Sequence, residues 1–379
     1  MKTALSLAAL GVGAALSLSA CAQTSSMNAM PSMNLALGPS LNAGIVDGTT
    51  SEVVVPMGHL NDPFNTFYET FTSNNGSTWS LSTPKGSSTN GGIVIASPAH
   101  GASAIRSFDN SHVSALTPLS MGTQVLSGGV IIPAIAQSPS ALSVQGGASY
   151  WVTKQGSVEM STSLSATPIT LATAASLNHA PGGAACGVAT INSVAINASG
   201  ELAVGVRCSR GGTSAIVTRA TTASSWNVAK LPSMAADATM RLDATATGFI
   251  ALVRTGGAAP SLRAVAIHGN DATVSPSVGL MYGLLRASVP DGHGGYEVLI
   301  ATSKGCSVVD LAPGQSATSI GVALPANAQS IARTSIHGAD VLEVVEVSGG
   351  KASFAVLGTK GAWRAIQSIK VAIPYGSAA

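Results

Sequence analysis

Ser193-Val194-Ala195-Ile196 is followed by a turn at Ala198-Ser199-Gly200 and then by Glu201 to Cys208. A loop at Arg210-Gly211-Gly212 leads to Ser214 to Arg219, and Ser225-Trp226-Asn227-Val228 closes the run. Each apolar stretch is short, rich in β-branched residues and bounded by Gly, Asn or Ser, which supply the backbone conformations of tight turns. The run therefore reads as a meander of four antiparallel strands. The plan then repeats. Met240 to Ala246 turns at Thr247-Gly248 into Phe249 to Arg254; Gly256-Gly257 leads to Leu262 to Ile267, and Asn270-Asp271 to Ala272 to Ser275. A third unit spans Leu284 to Ala323, with turns at Asp291-Gly292 and Lys304-Gly305. A fourth spans Ser330 to Ile369, with turns at His337-Gly338, Gly349-Gly350 and Lys360-Gly361.

Outward from these units, no stretch after about residue 50 offers a 3.6-residue apolar stripe with caps, so the chain reads as all-β. Four-stranded units recurring roughly every 42–48 residues have the period of β-propeller blades. Residues 51–83, 84–120 and 125–165 read as three further units with shortened strands, which makes seven blades. Six or eight stay open, because 165–192 is long and Ala-rich. The expected layout is a signal segment at 1–20, a lipidated N-terminus and tether at 21–49, and one propeller at 50–379. Each blade packs only on its neighbours, which lets an all-β chain of this length remain one domain.

Composition narrows the function classes. Charged residues are 9% of the chain and aromatic residues 4%. The formal net charge is +2, and removing residues 1–20 removes Lys2 and no acid, which leaves +1. No basic run stands out, so the electrostatic footprint of a nucleic-acid binder is absent. A charge-poor surface suits an acidic exterior, where ionised bases would otherwise repel one another. No residue pattern calls for a cofactor. The seven histidines are scattered without a two-ligand spacing. Weak metal candidates are Asp291 with His293 in a Gly-rich turn, and the soft thioethers Met27, Met30 and Met33, spaced by three as a Cu(I) site would need. The plain alternatives are a hairpin turn and a tether that contains methionines.

The N-terminus carries an address. Lys2 precedes an apolar core from Ala4 to Leu18, too short to span a membrane, and Leu18-Ser19-Ala20-Cys21 follows. That ending resembles the lipobox of bacterial lipoproteins. The resemblance implies cleavage before Cys21, diacylglycerol on its thiol and an acyl chain such as palmitate on its amine. Several buried chains, at roughly 0.8 kcal/mol per CH₂, anchor durably. Ala22 in place of aspartate implies the outer membrane. Residues 22–45, without apolar periodicity, read as the tether. With Cys21 assigned to lipid, Cys186, Cys208 and Cys306 form an odd set. Cys186 and Cys208 flank one apparent hairpin and are the preferred pair, with one thiol left over; three buried reduced cysteines are the alternative.

Thr72-Ser73-Asn74-Asn75-Gly76-Ser77-Thr78-Trp79 resembles the Asp-box of sialidases and related propellers, a turn between the third and fourth strands of a blade. The resemblance implies that Asn74 stands where the acid caps backbone N–H groups, that Gly76 takes a positive φ and that Trp79 packs between blades; Thr72 and Thr78 complete the pattern. Weaker echoes end at Trp226 and Trp363. The catalytic set of sialidases does not carry over. Arg106 is followed by Ser107 and Phe108 rather than an Ile-Pro element, and Tyr68 and Glu69 are adjacent in one strand, so they point to opposite faces. The expected function is that of a non-catalytic, membrane-anchored envelope protein that binds or scaffolds a protein partner. A degenerate sialidase-like glycan binder or hydrolase is the second reading.

Overall fold

A computed structural model describes residues 45–46, 50–57, 67–81, 93–97, 102–106, 113–115, 142–145 and 148–370, apart from 154, 162–166, 212, 221–224, 230–237, 257–258, 270, 281–284 and 349. Alternating apolar residues and turn-forming Gly, Asn and Ser give seven antiparallel sheets among these residues, each made of strands consecutive in the chain. They cover 45–81, 93–115, 142–172, 188–228, 239–279, 285–324 and 328–370. Six are meanders of four strands, the one at 239–279 with an extra strand at Val278–Gly279, and the sheet at 93–115 has three. The first sheet begins at Ile45–Val46, paired with Ser51 and Thr50, so pairing starts inside the stretch read as tether.

The sheets form the ring of a β-propeller. First strands of successive sheets lie against one another: Leu142–Gln145 on Val188–Ile196, Val188–Ile196 on Thr239–Ala244, and Leu285–Pro290 on Ala328–Ile336. The last sheet's Ala328–Ile336 also packs on Thr50–Met57 and Ile45–Val46 of the first, which closes the ring. Pleating sends alternate side chains to opposite faces, so each face feeds a separate core. In the last sheet Ile331, Leu342 and Val344 join the core toward the sixth sheet. Ala332, Val345, Ala352 and Phe354 join the core toward the first.

The Ala-rich interval before the fourth sheet holds two short helical turns, Ala174–Asn178 and Gly183–Cys186. Thr173 and Ser176 cap the first of them reciprocally, and Leu177 anchors it in the core of the third and fourth sheets. A disulfide joins Cys186 to Cys208 at the end of Leu202–Cys208, with Cα atoms 4.8 Å apart. Cys306 is fully buried between the sixth and seventh sheets. No cysteine among the described residues is a free thiol, which corrects the expectation of one left over.

Candidate functional site

The Thr72–Trp79 segment lies between the strands Phe67–Ser73 and Ser80–Leu81, the third and fourth of the first sheet. The amide oxygen of Asn75 accepts the backbone N–H groups of Ser77 at 2.9 Å and Thr78 at 2.7 Å. This corrects the expectation for Asn74. An Asx side chain reaches N–H groups two and three residues ahead, and the N–H groups that point inward in this turn stand two and three residues after Asn75. Gly76 has φ +65°, and a Cβ there would meet the Ser335 carbonyl oxygen at 2.5 Å. The turn is thus pressed against the last sheet. Trp79 stacks on Phe354 at 5.1 Å, and Phe71 meets the same ring edge-on at 5.3 Å. Gln367 clasps the Trp79 backbone, accepting its N–H at 2.6 Å and donating to its carbonyl at 3.0 Å. The later tryptophans hold comparable places, Trp226 just before a fourth strand and Trp363 at the start of one. Trp226 is buried with Arg219 over its ring, and Trp363 donates to the Val322 carbonyl at 3.0 Å.

A second cluster joins the fifth, sixth and seventh sheets at the ends of their first hairpins. Arg241 and Asp243 are two apart on one strand and so share a face, where they form an ion pair. Arg241 also donates to the Ser288 carbonyl at 2.6 Å and hydroxyl at 2.8 Å in the next sheet. Tyr296 returns the link, donating to Asp243 at 2.7 Å, and burial pushes its phenol well above the ordinary range. One joint further on, Arg333 donates to both oxygens of Glu297 at 2.8 and 2.6 Å and to Asp340 at 2.9 Å. Burial outweighs this pairing and holds the Glu297 carboxyl up at about 7, with Asp291 and Asp310 adding to the rise.

Asp291 is committed to its own turn. Its side chain accepts the N–H groups of His293 at 2.6 Å and Gly295 at 2.9 Å, while His293 is exposed. Among the described residues no group of three His, Cys, Asp or Glu side chains is arranged to hold a metal. Tyr68 and Glu69 are consecutive on Phe67–Ser73. Cys21, Met27, Met30 and Met33 lie outside the described residues. No described helix is long and apolar enough to cross a membrane. The sequence reading missed Gln367, the Arg241–Asp243–Tyr296 link and the Glu297–Arg333 pair. Only the i, i+2 spacing of Arg241 and Asp243 signals one of them in advance.

The ring and its interlocked hairpin ends define the class, a β-propeller. No protein-family model matches the chain, and no curated protein does. Among solved structures it is similar to a protein from Lactobacillus plantarum, at 12% identity and TM-score 0.53, over 86% of this chain and 97% of that one. It is also similar to a candidate 6-phosphogluconolactonase from Bacteroides uniformis, at 12% identity and TM-score 0.50, over 85% and 98%. Against a prolyl endopeptidase, at 13% identity and TM-score 0.47, 91% of this chain spans only about half of that protein, 53%. At these identities the likeness is one of fold.

Proposed function

We propose that this is a membrane-anchored envelope lipoprotein whose propeller binds a protein partner without catalysing a reaction. The observation that carries the reading is the insertion at 173–187. Its backbone is fixed from several sides: the Cys186–Cys208 disulfide, two bonds between Asn178 and Val188 at 3.1 and 2.6 Å, and Arg210 donating to the Ala184 carbonyl at 2.8 Å. Yet Ala175, Ser176, His179, Ala184 and Ala185 are exposed. A rigid exposed protrusion loses little conformational freedom on binding, which favours its use as a contact surface. The charged groups of the cluster, by contrast, are engaged with one another inside the wall of the ring.

The anchor in this reading is lipid on Cys21, on the outer membrane, as the Leu18-Ser19-Ala20-Cys21 pattern and Ala22 imply; it leaves Cys306 no partner cysteine in the chain and so stands against the lack of a free thiol there. Mass spectrometry of the N-terminal peptide tests it. A diacylglyceryl and acyl mass increment on Cys21 supports the anchor; a peptide in which Cys21 is bridged to Cys306 overturns it. For the partner, a photo-crosslinker at Ala185 in membranes should capture one protein stoichiometrically, and the yield should drop when Cys186 and Cys208 are both replaced by Ser. A yield unchanged by that replacement overturns the role of the insertion.

The tryptophans Trp79, Trp226 and Trp363 beside fourth strands favour one second reading, an Asp-box propeller of sialidase type that binds glycan. Binding on a glycan array, or release of fluorophore from a sialoside, would replace the first reading by this one.

A further inference from the structure

The ring has one joint across which the chain does not run, between the seventh sheet and the first. Among the described residues it is closed by the Phe71–Trp79–Phe354 stack, the Gln367 clasp and the Gly76 contact. Opening it breaks no connection in the chain, so this joint separates with the least covalent restraint. Glu343 sits in this seam. It lies on the strand Ala339–Ser348, opposite Ala332 and Val356 in the register and so on the face that carries Phe354. Its exposure is 0%, and neither carboxyl oxygen has a hydrogen-bond partner. A carboxylate in such a place forfeits its hydration without a counter-charge or a well-formed hydrogen bond in return, whereas the neutral acid forfeits far less.

Among the described side chains around it none supplies a counter-charge. From 71 to 81 the first sheet offers no ionisable residue; the Trp79 indole N–H acts weakly on the carboxyl without a hydrogen bond of normal geometry. Glu69 holds the register position two before Phe71 on the same strand, and Glu52, opposite Thr72 on Thr50–Met57, is likewise an acid rather than a base. On the neighbouring strand Ala328–Ile336, Arg333 is next to Ala332 and therefore on the other face, engaged with Glu297 and Asp340. On its own strand Glu346 is likewise on the other face. Arg364, on the outer strand opposite Val356, is exposed.

We propose that the seam between the last and first sheets is a pH-sensitive closure of the ring, shut while Glu343 is a neutral acid and loosened when that carboxyl ionises. Burial pushes the carboxyl up to about 9. A folded-state value raised above the ordinary one means that closure is fully favoured below about 4.5 and loses support as the pH rises through about 9. Within that window the opening equilibrium shifts about tenfold per pH unit, or about a thousandfold from pH 5.5 to 8.5.

Hydrogen exchange of the full chain, corrected for the intrinsic pH dependence of amide exchange, reads this directly. Peptides covering 67–81 and 339–357 should lose protection from pH 5.5 to 8.5, while 249–268 in the fifth sheet changes far less. In Glu343→Gln the seam peptides should keep their protection at pH 8.5. Glu343→Met, close in volume and unable to ionise, gives the same reading if the amide is poorly tolerated. A pH-independent seam in the wild type, or a variant with the wild-type pH response, overturns the proposal. The wild-type comparison decides by itself if neither variant folds.

Discussion

At Asn75 one amide oxygen satisfies two backbone N–H groups that the tight turn leaves without strand partners. Asn75→Ala should lower stability by about 1–2 kcal/mol, read from the urea midpoint, and Asn75→Asp should retain most of it. Gly76→Ala asks for more: a positive φ and a Cβ driven against the Ser335 carbonyl. It should cost about 3 kcal/mol and loosen the seam, with exchange at 328–336 as the local measure. At Arg333 the cost depends on pH. Arg333→Met leaves the buried Glu297 carboxylate without its cation, about 3 kcal/mol at pH 8. At pH 5 the loss should shrink, because Glu297, already raised to about 7 beside its arginine, is then protonated. Equal losses at both pH values would show that the arginine acts through packing rather than charge.

Among the elements, the insertion at 173–187 is tied to the sheets by one apolar side chain, one covalent bond and a few hydrogen bonds. Leu177 supplies its apolar anchor, and the disulfide closes a loop across a separation of 22 residues. Cross-linking a loop of that length contributes about 3 kcal/mol by restricting the unfolded chain. Reduction should therefore lower the unfolding midpoint. It should also raise exchange at 174–187 before exchange in the strands, and a uniform rise across the fourth sheet would mean that the insertion and the sheet unfold as one unit. Strands and turns of this size were legible in the sequence from about residue 188 onward, because apolar runs and turn residues alternate there in register. The unit read at 125–165 instead has its described strands at 142–172: the fourth, Ile169–Ala172, falls in the Ala-rich interval, where composition masks a four-residue strand beside helical turns.

For the whole molecule, the raised carboxyls act in one direction. Glu297 at about 7 and Glu343 at about 9 are both above their ordinary values through burial, and Asp310 and Glu346 are also raised by burial. The folded state thus holds these protons more tightly than the unfolded chain. Its extra stability is complete below about 4.5 and falls away as the pH climbs through about 7 and then about 9. Thermal unfolding should give a higher Tm at pH 5 than at pH 8, and a maximum at or above pH 8 would contradict this reading. The same sign accords with a charge-poor protein suited to an acidic exterior. Loss of structure between about pH 5 and 3 would count against that setting.

The sequence by itself determined that the chain is a succession of short-stranded β-meanders. That information is local: periodicity two in Leu202–Cys208 or Phe249–Thr255, and turn residues at Ser199-Gly200 and Asp291-Gly292. The Cys186–Cys208 pair was legible for the same reason, since one hairpin brings both ends together. Only the tertiary structure decided which meander meets which. Gln367 finds Trp79 across a separation of 288 residues, and Arg333 finds Glu297 across 36. No spacing encodes these contacts, because they arise where two separately formed faces are pressed together by closure. Glu343 is the clearest case. On its strand it reads as a polar position, and only the first sheet, arriving from the far end of the chain, turns it into a buried acid.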